Sequence, residues 1–98
     1  MIEVRQTDTF ADWFSRLRDD TAKAKIVVRI RRLSLGNPGD VKPIGEGLSE
    51  LRIDHGPGYR VYYVQRGKVV IVLLCGGDKR TQDLDIATAK AMARELED

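Results

Sequence analysis

The run VVIVLLC, Val69 to Cys75, is apolar at every position. A strand with one wet face alternates apolar and polar residues; one that does not alternate is covered on both faces. This run therefore asks for a central strand with other elements packed above and below it. It also ends abruptly. Two glycines follow Cys75, and then Asp78, Lys79 and Arg80. Two adjacent cations after the most buried strand fit three readings: a solvated turn, a grip for an anion, or a cysteine nucleophile beside positive charge.

Two more strands precede it. LSELRID places Leu51 and Ile53 on one face and Glu50, Arg52 and Asp54 on the other. YRVYYVQ places Tyr59, Val61 and Tyr63 against Arg60, Tyr62 and Val64. HGPG and RGK are turn sequences, so the three strands are predicted to form an antiparallel meander. Keeping both apolar sets on one face pairs Ile53 with Tyr59 and Arg52 with Arg60. A two-residue turn at Arg66-Gly67 pairs Tyr62 with Ile71 and Arg60 with Leu73, and leaves Cys75 on the face of Arg60. Arginines directly opposite each other repel. An anion between them would relieve that, and so would Glu50 on the same face.

The remaining chain reads as helical. Phe10, Trp13, Phe14 and Leu17 follow the spacing of one helix face, with Thr9 and Asp12 as a capping pair. Asp19-Asp20-Thr21 reads as a break and a new N-cap. Ile26, Ile30 and Leu33, with Val27 beside them, form the next stripe, which predicts a helical hairpin. Lys25, Arg29 and Arg32 share another side of that helix, as a contact for nucleic acid or an acidic partner, or as a solvated face. Gly36-Asn37-Pro38-Gly39 ends the helix, and a loop from Leu35 to Gly47 holds Lys42. A short strand, Ile2 to Arg5, opens the chain. DLDIATAKAMAREL closes it as a helix packing through Ile86, Ala89, Ala93 and Leu96.

With 98 residues, 42% apolar and 33% charged, the composition is that of one globular domain spanning 1–98. The single cysteine allows no internal disulfide, and no apolar run is long enough to cross a membrane, so a cytoplasmic protein without membrane association is expected. Residues 1–80 carry 15 Lys/Arg against 10 Asp/Glu, and the rest 2 against 5, a basic body suited to an anionic partner. One His and one Cys among scattered carboxylates give no metal-ligand spacing, so no metal or other cofactor is expected. GGDKRT lacks the spacing of a phosphate-binding loop.

ELRIDHGPGYRVYY, the apolar strand, and GGDKRTQDLDIATAKAMA together resemble the RelE/HigB superfamily of type II toxins, and more closely its phage-derived "addiction module killer protein" branch. The resemblance implies an α+β, RelE-like fold: an N-terminal strand and helical hairpin on a small, mainly antiparallel sheet, then a C-terminal helix. It implies a metal-independent, ribosome-dependent mRNA endonuclease. The partners it implies are a cognate antitoxin, a small helix-turn-helix protein, mRNA on the ribosome, and operator DNA only through that antitoxin. The alternative within the same superfamily is a non-catalytic module that binds RNA, ribosome or antitoxin.

Residue by residue, the resemblance assigns the basic residue of the first meander strand to Arg52, the arginine of the Gly-Tyr-Arg motif to Arg60, and the turn cation to Lys79 or Arg80. Two positions depart from it. Glu50 stands where a second lysine is common, and Ile86 where some members carry a tyrosine. Metal-free cleavage turns the ribose 2′-OH on the adjacent phosphate, and cations fixed around the phosphate oxygens lower that barrier. Arginines at 52 and 60 could clamp those oxygens bidentately. Tyr62, Lys79 and Glu50 are the candidates for general base. The catalytic set is thus Arg52, Arg60, Lys79, Arg80 and Tyr62, with Lys42, Lys25, Arg29 and Arg32 as RNA contacts. A Cys75–His55 nucleophilic pair at the same sheet end is an alternative, against packing of the lone cysteine. The antitoxin is expected over the Arg52/Arg60 face or along an exposed sheet edge.

Overall fold

The computed structural model describes residues 1–96. Its strands are β1 (Glu3–Gln6), β2 (Val41–Gly45), β3 (Leu48–Ile53), β4 (Tyr59–Arg66) and β5 (Val70–Gly77). Its helices are α1 (Asp8–Arg16), α2 (Asp20–Ser34) and α3 (Gln82–Glu95), the last entered through a 3-10 turn at Lys79–Thr81. The strands form one sheet in the order β1-β5-β4-β3-β2. β1 runs parallel to β5 and the other pairs are antiparallel.

The fold class is α+β as expected, but the sheet has five strands where a three-strand meander beside the N-terminal strand was predicted. The missed strand is β2, read as part of the 35–47 loop. Its sequence VKPIG contains Pro43 and Gly45, residues that a central strand excludes and an edge strand accepts.

The all-apolar run is covered on both faces, as its sequence requires. On one face Leu51, Ile53, Val61, Tyr63, Ile71 and Leu73 pack with Phe10, Ile26 and Leu33 of α1 and α2. On the other, Leu48, Val64, Leu74 and Cys75 pack with Ala89 and Ala93 of α3. Ile86 is partly buried there, whereas Leu96, predicted for the same face, is 40% exposed. Val27, placed beside the α2 stripe, is exposed too.

Both hairpin helices are capped by side chains. Thr7, not Thr9, caps α1: its hydroxyl accepts from the Phe10 N–H at 3.1 Å and donates to the Leu74 carbonyl at 2.6 Å. That double role ties the start of α1 to β5, which local spacing alone does not reveal. Asp19 caps α2, as expected, accepting from the Ala22 N–H at 3.1 Å. Its second oxygen lies 2.9 Å from His55 Nε2.

The β3/β4 register is the predicted one, with Ile53 opposite Tyr59 and Arg52 opposite Arg60. The β4/β5 register is not. Arg66 pairs with Val70 across a three-residue turn, and a bulge between Tyr62 and Tyr63 adds one more residue. Tyr62 therefore faces Cys75 instead of Ile71, and Arg60 faces Gly77 instead of Leu73. The two shifts sum to an even number, so Cys75 stays on Arg60's face.

Candidate functional site

The α3 helix covers only part of its face of the sheet. At the end where α3 begins, β3 and β4 present Glu50 opposite Tyr62 and Arg52 opposite Arg60, with Gly77 of β5 beside Arg60. Gly76 and Gly77 lack the positive φ of a tight turn. They are small because both faces of the strand are occupied: a Cβ at Gly76 would overlap the Trp13 ring, and one at Gly77 the Asp85 carboxylate.

Glu50 is the one fully buried charged residue among those described. A carboxylate out of water needs compensating donors. Glu50 Oε2 accepts from the Tyr62 hydroxyl at 3.0 Å and the Gln82 amide at 2.8 Å, and lies 3.3 Å from Arg60 Nε. That last contact is an ion pair without hydrogen-bond alignment, and Glu50 Oε1 and Arg60 Nε have no hydrogen-bond partner among the described residues. Arg60 is further held by a 2.8 Å bond from Nη1 to the Gly58 carbonyl. Burial, and then the neighbouring Glu50 carboxylate, push the Tyr62 phenol up, so it remains protonated and donates.

Arg52 is held differently. Its Nε and Nη2 donate to Asp40 Oδ1 at 3.2 and 3.0 Å in a half-exposed pair. The opposed arginines thus each have a carboxylate: Glu50 takes Arg60, and Asp40, from just before β2, takes Arg52. Between them runs a hollow of about 300 Å³ walled by Asp40, Arg52, Asp54, Gly58, Tyr59 and Arg60.

The turn after β5 completes the rim. Asp78 caps it, accepting from the Arg80 N–H at 2.8 Å, and binds the Arg80 guanidinium at 2.8 Å. Lys79 is exposed, with its Cβ position next to Gly58, and its backbone N–H reaches the Pro57 carbonyl at 3.4 Å. Lys79 is therefore the cation of this rim without a carboxylate partner among the described residues. Thr81 donates to Asp85 at 2.6 Å, and burial raises the Asp85 carboxyl above its usual range against that bond.

The structure brings together Arg52, Arg60, Tyr62 and Lys79, with Arg80 turned onto Asp78. Lys42 lies on β2 opposite Glu50 and is exposed. Lys25, Arg29 and Arg32 lie on α2, across the sheet. Arg29 is a staple: it donates to the carbonyls of Arg52, of Pro38 at 2.9 Å and of Asp40 at 3.0 Å, which fixes the segment that carries Asp40. Cys75 is buried and its thiol is pushed up to about 12 by burial, while His55 is engaged by Asp19, so the two form no catalytic pair. Sequence reasoning missed Asp40, Gln82 and Asp85. Asp40 and Gln82 meet partners 12 and 32 residues away, brought in by the register of β2 and the entry of α3, whereas Asp85 bonds Thr81 within that same entry turn.

Comparison with known proteins places the chain among phage-derived relatives. Residues 12–97 match the family described as "Phage derived protein Gp49-like". An uncharacterised protein of Haemophilus influenzae is 54% identical over 95 residues, covering 97% of this chain and 96% of that protein. The solution structure of a conserved hypothetical protein from Helicobacter pylori aligns with a TM-score of 0.59 at 19% identity, over 82% of this chain and 97% of the other, a likeness of fold. With the family match spanning most of the described sheet and helices, the chain belongs to the Gp49-like family of phage-derived proteins.

Proposed function

We propose that the protein is the toxin of a type II toxin-antitoxin pair, and that it is a RelE/HigB-type endoribonuclease cutting mRNA on the ribosome. The observation that carries this reading is the hollow shared by Arg52 and Arg60 on the uncovered end of the sheet, with the Lys79 Cβ position next to Gly58 at its wall. A phosphodiester fits between two guanidiniums with a third cation at the side, and charge fixed in advance acts most strongly on a transition state that gathers it. In this reading Arg52 exchanges Asp40 for a phosphate oxygen. Arg60 is aimed from below by Glu50 and Gly58. Lys79 offsets the charge on the departing 5′-oxygen, which takes its proton from water. The substrate 2′-OH attacks the phosphorus, leaving a 2′,3′-cyclic phosphate and a free 5′-hydroxyl, and its proton passes to water. Glu50 and Tyr62 act as positioning residues, because both are buried under Arg60 and already bonded to each other. Arg80 and Lys42 extend the basic rim toward neighbouring phosphates. The extents of 35 × 29 × 23 Å suit entry into a confined RNA site.

One observation favours the second reading, a module that binds and blocks without cutting: Arg52, Arg60 and Arg80 each already have a carboxylate partner. Mapping 5′ ends of mRNA in a translation extract separates the two. The nuclease reading expects new ends with the wild-type chain, reduced about 10²–10³-fold in Arg52→Ala/Lys79→Ala. Both side chains reach solvent, so the double variant folds. Stalled translation with intact mRNA establishes the second reading instead.

A further inference from the structure

The α2 helix turns a second, unabsorbed surface to solvent. Thr21, Ala24, Val28 and Arg32 follow each other along one stripe of α2, and with Lys25 and Ile53 they line a groove of about 370 Å³. The floor is apolar: Val28 is 46% exposed at its middle, with Ala24 and Ile53 beside it. The cations stand at the rim. Lys25 and Arg32, two turns apart, are about 10 Å from each other along the axis. The Arg29 guanidinium between them is spent on three backbone carbonyls and forms a rigid wall. Asp54, exposed at the β3 end, is the one acidic side chain of the lining among the described residues.

An apolar floor between two cations that have no carboxylate partner among the described residues is the complement of an amphipathic segment with an apolar ridge and acidic flanks, the helix-in-groove mode of recognition. RNA fits this groove less well. No aromatic ring lines it for base stacking, and the middle cation of the stripe is already occupied. We propose that an acidic amphipathic helix of a protein partner docks in the groove between α2 and the end of β3, with Val28 as the apolar contact and Lys25 and Arg32 as the charge contacts. The identity of that partner as the antitoxin rests on the toxin reading above. The groove and the Arg52/Arg60 hollow meet at the end of β3, where Ile53 and Asp54 line both, so the rest of an antitoxin held here can reach that hollow or a sheet edge.

The test is selection of random 16-residue peptides displayed on phage against the whole protein, followed by fluorescence anisotropy of the enriched peptides. The expected peptides carry apolar residues at helical spacing flanked by Asp and Glu. Their Kd rises at least about tenfold in Val28→Glu and, separately, in Lys25→Glu/Arg32→Glu, and falls as salt is lowered. Val69→Glu, on the distant β4–β5 turn, leaves it unchanged. No enrichment, peptides without acidic bias, or peptides indifferent to both groove variants would overturn the proposal. So would a single-stranded 20-nucleotide RNA whose binding is lost in Lys25→Glu/Arg32→Glu and kept in Val28→Glu. Failure of the toxin reading shows separately, as absence of growth arrest on induction of the wild-type chain.

Discussion

The two faces of the sheet are built to different rules. The face under α1 and α2 is closed by Phe10, Ile26, Leu33, Leu51, Val61 and Ile71, all apolar and all buried. The face under α3 is apolar only where the alanines of α3 lie on Leu48, Val64 and Leu74. Beyond the first turn of that helix it becomes a polar network, Glu50 with Tyr62, Gln82 and Arg60. Nonpolar packing tolerates volume-conserving change, whereas a buried charge network fails when one member leaves. The contrast teaches where each task sits. The hairpin face supplies burial, and the open end of the α3 face holds cations in fixed positions next to solvent.

The largest expected effect tests whether the network holds the fold as firmly as the core does. Glu50→Ala strands Arg60, Tyr62 and Gln82 together, and should lower unfolding free energy by about 3–5 kcal/mol in urea denaturation. Leu51→Ala, directly beside it on the opposite face, should cost about 2–5 kcal/mol. A Glu50→Ala loss below that of an ordinary surface change would break the comparison.

Next is Gly76, the position at which the hairpin reaches the strand end. A methyl group there meets the Trp13 ring, so Gly76→Ala should cost about 1–3 kcal/mol by thermal or urea unfolding. Gly76→Ala in a Trp13→Ala background should lose most of that penalty, since the overlap is then gone.

The smallest effect depends on pH. Burial raises the Asp85 carboxyl above its ordinary 3.8. The folded state therefore prefers the protonated form, and that preference is fully present below pH 3.8 and lost as pH rises through the raised folded value. Asp85→Asn keeps an acceptor for Thr81 and removes the ionisation. Its stability should match the wild type at about pH 3 and exceed it at about pH 7. A difference constant across that range would mean that Asp85 is not strained by burial.

The same contrast explains what the sequence could show. Alternation in LSELRID and YRVYYVQ carries face information, so the β3/β4 register and the opposition of Arg52 and Arg60 were legible. VVIVLLC is apolar throughout and carries none, so nothing in it could signal the three-residue turn or the bulge at Tyr62/Tyr63. The core positions of the hairpin face followed from helical spacing. The α3 face did not follow, because its polar partners are set by contacts across long stretches of chain. Glu50 lies 32 residues from Gln82, and Arg52 lies 12 from Asp40. The cations at 52, 60 and 79 were visible as residues, and so was Glu50 as a neutraliser on their face, while Asp40, which holds Arg52, emerged only from the fold. In the same way, the glycines after Cys75 looked like a turn signal and proved to be clearance for Trp13 and Asp85.

The proposed grip on a phosphate at the uncovered end of the α3 face requires attack by the neighbouring 2′-OH. End analysis of a reporter mRNA in a translation extract tests it most directly, with a matched message carrying one 2′-deoxynucleotide on the 5′ side of the mapped cut. Fragments ending in 2′,3′-cyclic phosphate are expected from the all-ribose message, and loss of that single cut from the 2′-deoxy message. Equal cutting of both messages, or no cutting of either while translation stops, would contradict it.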